Sequence, residues 1–541
     1  MTSPRARIRP ADGPRSGGAR IDLNHLSWTP LGRRRPILDA LDLHLEPGEK
    51  VLLAGASGAG KSTLLRAIAG VLDTVDPGTI TGHVLINGTP AHAGDGRVGL
   101  MVQDPADSRV AGTIGRDIAF GPENLAVPRD DIAQRVRHAL RCVHLPYPAH
   151  HATTALSGGE SQRLALAGLI ALQPQVILLD EPTSMLDEQS AAAVRRAVID
   201  TVDGTGATLI VVEHRLDGWV DLVDRLVVLD AEGTVSADGP VQKVLDTHTA
   251  TLLNAGVWVP GAPAPDLPAL PDDLCRPWPG VIPEHLDVPL ITGTDLTLRR
   301  RPRRGLRALT QPEPDILALT GVSTELLRGH ALAVRGASGA GKSSLVGVLC
   351  GLDAPTSGEV RAASGFSPLG RTAPHRWSPI DVAARIGWIP QRAAMAAVGG
   401  HTVRDALLST PRALGRWKSG AGGAGVVGDS GRAAEHRVDV LMDVLGIGHL
   451  ARRHPHRLSG GEQRRLAVVA AVAHGPAVIG ADEPTVGQDR HTWAAVAAVL
   501  VAARDAGCAV AVSTHDDALA AHADATLHLH AGAMRVAGGP Q

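Results

Sequence analysis

Short apolar runs alternate with longer mixed segments along the chain. The runs VLINGT at 84–89, VILLDE at 176–181 and TLIVVEH at 208–214 are rich in β-branched residues and end in polar ones. Between such runs lie Ala-, Leu- and Arg-rich segments whose apolar residues recur with the period of a helix, and LALAGLIAL at 164–172 indicates a buried helix. Buried strands are typically continuous apolar runs, and the helices that cover them show a 3.6-residue period. The pattern predicts an α/β architecture.

The pattern occurs twice. GASGAGKS stands at 55–62 and 336–343, and LSGGE stands at 156–160 and 458–462. A spacing near 300 residues indicates a duplicated domain, because solenoid repeats are only about 20–50 residues long. At 541 residues the chain is also too long for one ordinary core. We therefore expect a disordered N-terminal tail over 1–20, a first domain over 21–248, a linker over 249–289 and a second domain over 290–541.

The predicted linker is rich in proline. Residues 251–290 contain nine prolines and six charged residues, a composition that favours an extended, semi-rigid tether and excludes a long helical one. The second copy also carries an insertion, and the Gly-rich stretch KSGAGGAGVVGDSG at 418–431 predicts a flexible surface loop. Together these features indicate two compact domains that are joined by one irregular segment, with another irregular segment inserted in the second domain.

Composition excludes several classes of function. The 53 Lys and Arg residues balance 55 Asp and Glu residues, so no net field favours nucleic acid as a partner. The four cysteines are far apart, which is typical of small buried hydrophobic residues in a reducing compartment. The basic N-terminal stretch has no apolar segment behind it, and no run of about 18 apolar residues occurs anywhere. We therefore expect a soluble chain that reaches a membrane only through a partner.

Two copies of the phosphate-binding loop pattern G-x-x-x-x-G-K-[ST] lie between an apolar run and a helical segment. Glycines let backbone N–H groups close around phosphate oxygens, and the following helix N-terminus adds partial positive charge. Lys61 and Lys342 would reach the β- and γ-phosphates of ATP, and Ser62 and Ser343 would bind Mg²⁺. The predicted ATP-binding loops comprise Gly55, Ala56, Ser57, Gly58, Ala59, Gly60, Lys61, Ser62 and Thr63 in the first copy, and Gly336, Ala337, Ser338, Gly339, Ala340, Gly341, Lys342, Ser343 and Ser344 in the second.

An Asp–Glu pair follows a later apolar run in each copy. Asp180 and Asp482 would hold Mg²⁺ from the strand end, directly or through water, and contribute to ATP binding. Glu181 and Glu483 would act as the general base on the attacking water. An Asp–Glu pair alone is as often a solvated strand end, and its position downstream of a phosphate-binding loop strengthens the catalytic interpretation.

Two further polar residues stand at strand ends. Gln103 and Gln391 each follow a short apolar run, where an amide can bind Mg²⁺ or water and sense a neighbouring domain, although an isolated Gln is usually a surface residue. His214 and His515 each end the apolar run after the Asp–Glu pair, where an imidazole can contact the γ-phosphate, although an isolated His is usually structural.

The LSGGE copies add a second type of anion site. Ser157 and Ser459 can cap the helix that follows, and the glycine pairs Gly158–Gly159 and Gly460–Gly461 let a phosphate approach the backbone. Each copy already has one phosphate-binding loop, so this second site is redundant within a single domain. It is useful if it meets the nucleotide held by the other copy, which predicts intramolecular pairing of the two domains head to tail.

Taken in order and twice, the loop, Gln, LSGGE, Asp–Glu–Pro–Thr and His resemble the nucleotide-binding domains of ABC transporters. The resemblance covers nearly the whole chain except the first 20 residues and the linker. It implies two RecA-like α/β cores, each with an antiparallel β subdomain and a helical subdomain, and D-loop residues Asp187 and Asp489. It also implies composite ATP sites: the first copy's loop, Gln103, Glu181 and His214 would face Ser459, Gly460 and Gly461, and the second copy's equivalents would face Ser157, Gly158 and Gly159.

DIAFGPENL at 117–125 makes the first copy similar to the ATPases of energy-coupling factor (ECF) transporters, including the cobalt type. This resemblance implies an ATPase at the cytoplasmic face of the membrane, with a transmembrane scaffold and a membrane substrate-binding component as partners. It implies import of a vitamin, a vitamin precursor or a metal ion. The alternatives are an ATPase of a peptide or other ABC importer, and a soluble double-cassette translation factor. The latter class has a helical, strongly charged linker, unlike this one.

The two copies differ where relatives stack an aromatic residue on the adenine. The region before the first loop offers Trp28, either for stacking from a shifted position or for packing within its strand. The corresponding stretch 295–309 in the second copy has no aromatic residue. An aromatic stack would favour the first site by about 0.5–1.5 kcal/mol, so the stacking alternative predicts tighter ATP binding there.

Overall fold

The computed structural model describes residues 17–75, 77–103, 108–156, 158–184, 186–282, 288–300, 316–393, 400–415 and 429–535. Ser157 and most of the 418–431 insertion lie outside these residues. The chain forms two compact units, with unit 1 ending at Pro263 and unit 2 beginning at Ala264. Among the described residues, no helix has the combined length and hydrophobicity that crossing a bilayer requires.

Unit 1 contains both strands and helices, as the α/β pattern predicts. Its strands are β1 (Ile21–Pro30), β2 (Leu38–Leu45), β3 (Lys50–Gly55), β4 (Gly78–Ile86), β5 (Thr89–Pro90), β6 (Val98–Met101), β7 (Val176–Asp180), β8 (Thr208–Val212), β9 (Arg225–Leu229) and β10 (Val235–Pro240). Its helices are α1 (Lys61–Ile68), α2 (Leu72–Val75), α3 (Ile114–Asn124), α4 (Arg129–Cys142), α5 (Gly158–Leu172), α6 (Glu188–Thr205) and α7 (Val241–Asn254).

The central sheet of unit 1 has the order β10-β9-β3-β8-β7-β6 and is parallel except for β10. Every residue of β7 and β8 is buried, as expected for strands covered on both faces. Alternate residues of β3 serve the two faces: Leu52 packs in one apolar cluster with α5 and α6, and Leu53 packs in another with β1, β2 and α1. A separate antiparallel sheet has the order β2-β1-β4-β5.

Unit 2 repeats this plan. Its strands are β11 (Ile291–Arg300), β12 (Ile316–Leu326), β13 (Ala331–Arg335), β14 (Ser357–Ala362), β15 (Ile386–Ile389), β16 (Val478–Asp482), β17 (Ala509–Ser513), β18 (Ala525–His530) and β19 (Ala533–Met534). Its helices are α8 (Lys342–Leu349), α9 (Pro379–Arg385), α10 (Val403–Ala413), α11 (Asp429–Val444), α12 (Gly460–Ala473), α13 (Arg490–Asp505) and α14 (Asp517–Ala520). The central sheet is β15-β16-β17-β13-β18-β19, and the antiparallel sheet is β12-β11-β14.

Each unit also has a helical layer. In unit 1, α3 and α4 pack against α5, and in unit 2, α10 and α11 pack against α12. The apolar run 164–172 lies in α5, and most of its residues are buried. The predicted fold class, two tandem α/β domains with a central parallel sheet, an antiparallel sheet and a helical part, is confirmed.

Segments at the predicted domain borders are ordered against the units. The amide of Gly17 donates to the Thr205 carbonyl, and Ala19 is fully buried. Helix α7 continues through Asn254, six residues into the predicted linker. Further along, Val257 and Val259 belong to the unit 1 core, and Cys275 is buried in unit 2. The length that can act as a free tether is therefore much shorter than the whole Pro-rich segment.

Candidate functional site

The first phosphate-binding loop connects β3 to α1. Gly60, the residue before α1, has φ 89°, a left-handed conformation that glycine adopts without a steric penalty. The buried Lys61 side chain turns back into the loop, where its Nζ donates to the carbonyl oxygens of Gly55 and Ala56, each at 2.8 Å. The loop thus holds a cation at the N-terminus of α1, and a cation and a helix N-terminus both favour phosphate.

The second loop connects β13 to α8 in the same way. Gly341 has φ 100°, and the buried Lys342 donates to the carbonyls of Gly336 at 2.9 Å and Ala337 at 3.2 Å. Both copies therefore form the strand–loop–helix unit with its lysine enclosed.

Asp180 ends β7, and its carboxyl group is buried next to the first loop. The Ser62 hydroxyl hydrogen-bonds to this carboxyl group, while Asp180 Oδ1 has no hydrogen-bond partner among the described residues. Burial, followed by the charge of Glu181, raises the pKa of Asp180 to about 6. A buried, unsatisfied carboxylate oxygen beside a serine hydroxyl is a donor set that fits Mg²⁺, which prefers hard oxygen ligands.

Glu181 follows at the strand end with φ 50°, a conformation that is uncommon outside glycine. Its Oε1 lies 3.0 Å from Nε2 of His214, and its Oε2 accepts a 2.8 Å hydrogen bond from Nε2 of Gln103. Burial alone would raise the pKa of Glu181, but His214, Gln103 and Lys61 together outweigh it and lower that pKa. The carboxylate is thus held ionised, as a general base must be.

Unit 2 places its Asp–Glu pair similarly. Asp482 accepts hydrogen bonds from the hydroxyls of Ser343, at 2.7 Å, and Ser513, and burial raises its pKa. Glu483 has φ 49°, and its Oε2 lies 3.0 Å from Nδ1 of His515. Burial lowers the pKa of His515, but the hydrogen bond to Glu483 and the charges of Glu483 and Asp516 together outweigh it, so the net shift of the pKa is upward.

The glutamine positions differ between the units. Gln103 is half-buried against Glu181, whereas Gln391 is exposed and its backbone carbonyl accepts from Arg464 at 3.4 Å. Lys342 also lies 3.8 Å from Glu483, so the lysine stands beside this carboxylate. The structure brings Gln103, Glu181, His214 and the first loop together, whereas among the described residues of unit 2 no hydrogen bond joins Gln391 to Glu483.

The LSGGE segments lead into α5 and α12. Gly158 and Gly159 begin α5. Ser459 caps α12: its hydroxyl accepts from the amide of Glu462, whose carboxylate accepts from the amide of Ser459 at 2.7 Å. This capping box fixes the helix N-terminus and leaves open space around Gly460 and Gly461.

Both predicted D-loop aspartates cap helices. Asp187 accepts from the amide of Ser190 at 2.9 Å at the start of α6, and Asp489 accepts from the amide of Thr492 at 2.8 Å at the start of α13. The differing middle residues of the second D-loop do not change this cap.

Sequence reasoning missed a buried carboxylate in each unit. Glu213 accepts from the Thr183 hydroxyl at 2.6 Å and its amide at 3.1 Å, tying the residue after Glu181-Pro182 to the end of β8. Burial and the charge of Glu181 raise the pKa of Glu213 to about 7. In unit 2 the carboxylate comes from Asp516, which accepts from Thr485 at 3.2 Å. In the sequence, Glu213 directly precedes His214 and Asp516 directly follows His515. This adjacency to a predicted site histidine is the signal that could have identified both carboxylates.

Trp28 is not placed to stack on a base. It is 3% exposed, pairs within the antiparallel sheet and packs against Gly78 in the apolar cluster with Leu38. Of the two alternatives, packing within the strand is the one observed.

Comparison with known proteins identifies the family of this chain. The ABC transporter family pattern matches residues 38–184 and 319–486, more than half of the chain. A Bacillus subtilis protein named as the HMP/thiamine import ATP-binding protein YkoD is 29% identical over 96% of this chain and 91% of its own length. A Streptomyces coelicolor ABC transporter ATP-binding protein, SCO2324, is 30% identical over 96% of this chain and 94% of its own length.

Among solved structures, an archaeal ribosome recycling factor, aABCE1, in complex with the ribosomal stalk protein aP1 is 19% identical, with a TM-score of 0.53. The match covers 92% of this chain and 87% of that one. At this identity the similarity shows the fold alone.

Proposed function

The chain belongs to the ABC transporter family of ATP-binding proteins and is an ATPase, and we propose that it is the energy-coupling subunit of an ECF-type importer. The observation that carries the catalytic part is repeated in both units: a strand-end glutamate with a histidine ring nitrogen at 3.0 Å, beside an enclosed loop lysine. The importer assignment is supported by the near full-length similarity to the thiamine-type relative.

In the proposed reaction, Lys61 and the loop amides bind the phosphates of ATP, and Glu181 takes the proton of the attacking water. His214 holds the Glu181 carboxylate from one side and Gln103 holds it from the other. Lys342, Glu483 and His515 do the same in the second site. Bound Mg²⁺ would stabilise charge on the phosphate oxygens. Its proposed ligands are Ser62, Gln103 and Asp180 in unit 1, and Ser343, Gln391 and Asp482 in unit 2.

We further propose composite sites. Ser459, Gly460 and Gly461 would complete the first site, and Ser157, Gly158 and Gly159 the second. The support is motif complementarity: each LSGGE segment opens a helix whose N-terminus favours anions. The partners would be a transmembrane scaffold and a membrane substrate-binding component, with the ATPase at the cytoplasmic face. The proposed cargo is a vitamin, a vitamin precursor or a metal ion.

The test is reconstitution with membrane proteins encoded beside this chain's gene. Vesicles holding the complex should take up labelled thiamine precursor, or Co²⁺ or Ni²⁺, only with ATP on the side of this chain. The matched control is the Glu181→Gln, Glu483→Gln variant, which should assemble without driving uptake. ATP-driven export would overturn the importer assignment, and uptake of peptides alone would overturn the proposed cargo.

A further inference from the structure

A short segment beyond helix α7 pairs with the chain on both sides of His214. The amide of Trp258 donates to the His214 carbonyl at 2.9 Å, and the amide of Leu216 donates to the Trp258 carbonyl at 3.1 Å. Together these bonds form a parallel bridge between Arg215 and Trp258. The main chain of His214, which leaves the central sheet at the end of β8, is thereby fixed a second time by a segment 44 residues further along the chain.

Side chains reinforce this bridge. Trp258 is 7% exposed, and the Arg215 guanidinium lies over its ring at 4.6 Å from the ring centre, a cation–π arrangement. The neighbours Val257 and Val259 are buried in the same apolar cluster as Leu216. The ring and the flanking valines therefore hold the bridge in one register.

We propose that Trp258 is a positioning residue of the first ATPase site, acting through the main chain of His214 on the contact between His214 and Glu181. This inference rests on the catalytic roles proposed above for those two residues. The His214 ring nitrogen reaches Glu181 at 3.0 Å, so a small displacement of the His214 main chain would break that contact. Misplacement of a catalytic contact by about 1 Å can cost as much as 10²-fold in rate.

Unit 2 positions its histidine by other means. The residue after His515 is Asp516 instead of an arginine. Its carboxylate accepts from the Ala518 amide at 3.0 Å, capping α14, and from Nε1 of Trp493 at 2.6 Å. Trp258 should therefore influence the first site and leave the second site's geometry unchanged.

The linker supplies its own matched control. Trp278 also donates its amide to a unit, to the Gly475 carbonyl at 2.8 Å, and also lies beneath an arginine, Arg437, at 5.7 Å. Gly475 follows α12 and is far in sequence from His515. Replacing Trp278 thus removes a similar linker contact without touching a catalytic histidine.

The experiment measures steady-state ATP hydrolysis by the full chain. In a His515→Ala background, in which turnover comes from the first site, Trp258→Ala should lower kcat about tenfold with less than a twofold change in KM, because the phosphate-binding loop is untouched. Trp258→Phe, which keeps an aromatic face for Arg215, should recover most of the loss. Trp278→Ala should retain wild-type kcat. Equal losses in Trp258→Ala and Trp278→Ala would overturn the proposal, because the effect would then belong to the linker in general.

A double-mutant cycle separates positioning from general destabilisation. In a His214→Ala background Trp258→Ala should cause no further loss, while in a His515→Ala background it should cause its full tenfold loss. Additive losses in both backgrounds would overturn the proposal. If Trp258→Ala does not fold, Arg215→Ala gives the same test, because Arg215 is exposed and its removal leaves the core intact.

These measurements also distinguish the proposed catalytic role of His214 from the positioning role of Trp258. Wild-type turnover in His214→Ala would contradict the proposed function itself. Loss of turnover in His214→Ala with unchanged kcat in both Trp258→Ala and Arg215→Ala would contradict only the role of Trp258.

Discussion

Glu181 and Glu483 occupy the same unusual backbone position in the two units. Each follows a fully buried strand, and each has φ near 50°, which costs a non-glycine residue about 1–3 kcal/mol. The amide of Glu181 is fixed by the Val212 carbonyl and that of Glu483 by the Ser513 carbonyl. These bonds to the neighbouring strand keep each glutamate at the carboxyl end of its central sheet, where the phosphate-binding loop of the same unit also begins.

The first prediction concerns these carboxylates. Replacing both Glu181 and Glu483 with Gln should slow ATP turnover by at least about 10²-fold and leave ATP bound, because the amide cannot accept the water's proton. Phosphate release and retained nucleotide measure the two effects. The control is Glu188→Gln, which removes the same charge at an exposed salt bridge and should change little. Wild-type turnover in the double glutamine variant would refute the assignment of the bases.

Trp28 provides the second prediction. Because its ring is buried, Trp28→Ala should lower the free energy of unfolding of unit 1 by about 3–5 kcal/mol. Leu31→Ala in the same region, where the side chain is 80% exposed, should stay within about 0.5 kcal/mol of the wild type. Denaturant unfolding measures both. Weaker ATP binding with unchanged stability in Trp28→Ala would instead indicate that Trp28 contacts the nucleotide.

The buried Glu213 makes stability depend on pH. Its pKa is about 7 in the folded protein against 4.5 for an exposed glutamate, so between these values the folded state holds a proton that the unfolded state has lost. Stability should therefore fall as pH rises from about 4.5 to 7. Glu213→Gln keeps an acceptor for Thr183 and removes the titration. The free energy of unfolding of unit 1, measured with denaturant, should be higher in Glu213→Gln than in the wild type at pH 8. At pH 4.5 the two proteins should have similar free energies of unfolding. An equal pH dependence in both proteins would contradict this.

Among the elements, helices α6 and α13 begin with equivalent caps. Asp489→Ala should lower the stability of unit 2 by about 1 kcal/mol, because the Thr492 amide loses its acceptor, and Asp489→Asn should restore most of the loss. Asp187→Ala should do the same in unit 1. Urea unfolding of the four proteins, wild type included, measures this. Equal stability of Asp489→Ala and Asp489→Asn would show that the cap contributes nothing.

The elements also show what the sequence could predict. The loops at 55–63 and 336–344 could be predicted from local sequence, because their glycines permit the positive φ angles that the turn between strand and helix requires. The central strands follow from continuous apolar runs. The side-chain contacts are not local. Whether Gln103 or Gln391 reaches a glutamate depends on packing across the sheet, and the bridge between Arg215 and Trp258 joins residues 43 positions apart. Trp28 was ambiguous because an aromatic residue in a strand suits a core and a base equally well.

For the whole molecule, the linker decides how the two sites can combine. A free tether of 40 residues in an extended form would span more than about 100 Å. The structure leaves much less, because Ala262 still packs on unit 1 and Leu274 is already buried. The roughly ten residues between them span about 30 Å when extended. The proposed intramolecular pairing would have to occur within that reach.

The last prediction tests whether one chain closes on itself. In ATP, the Glu181→Gln, Glu483→Gln variant should keep the mass of a single chain in light scattering and show a smaller radius of gyration by X-ray scattering. The physical reason is effective concentration: a short connection keeps each LSGGE segment at roughly millimolar concentration relative to the other unit's loop, well above the protein concentration used. Adding Lys61→Ala and Lys342→Ala, which removes the loop cations, should abolish the compaction. An ATP-dependent doubling of mass would show that the connection is too short and that the sites form between two chains.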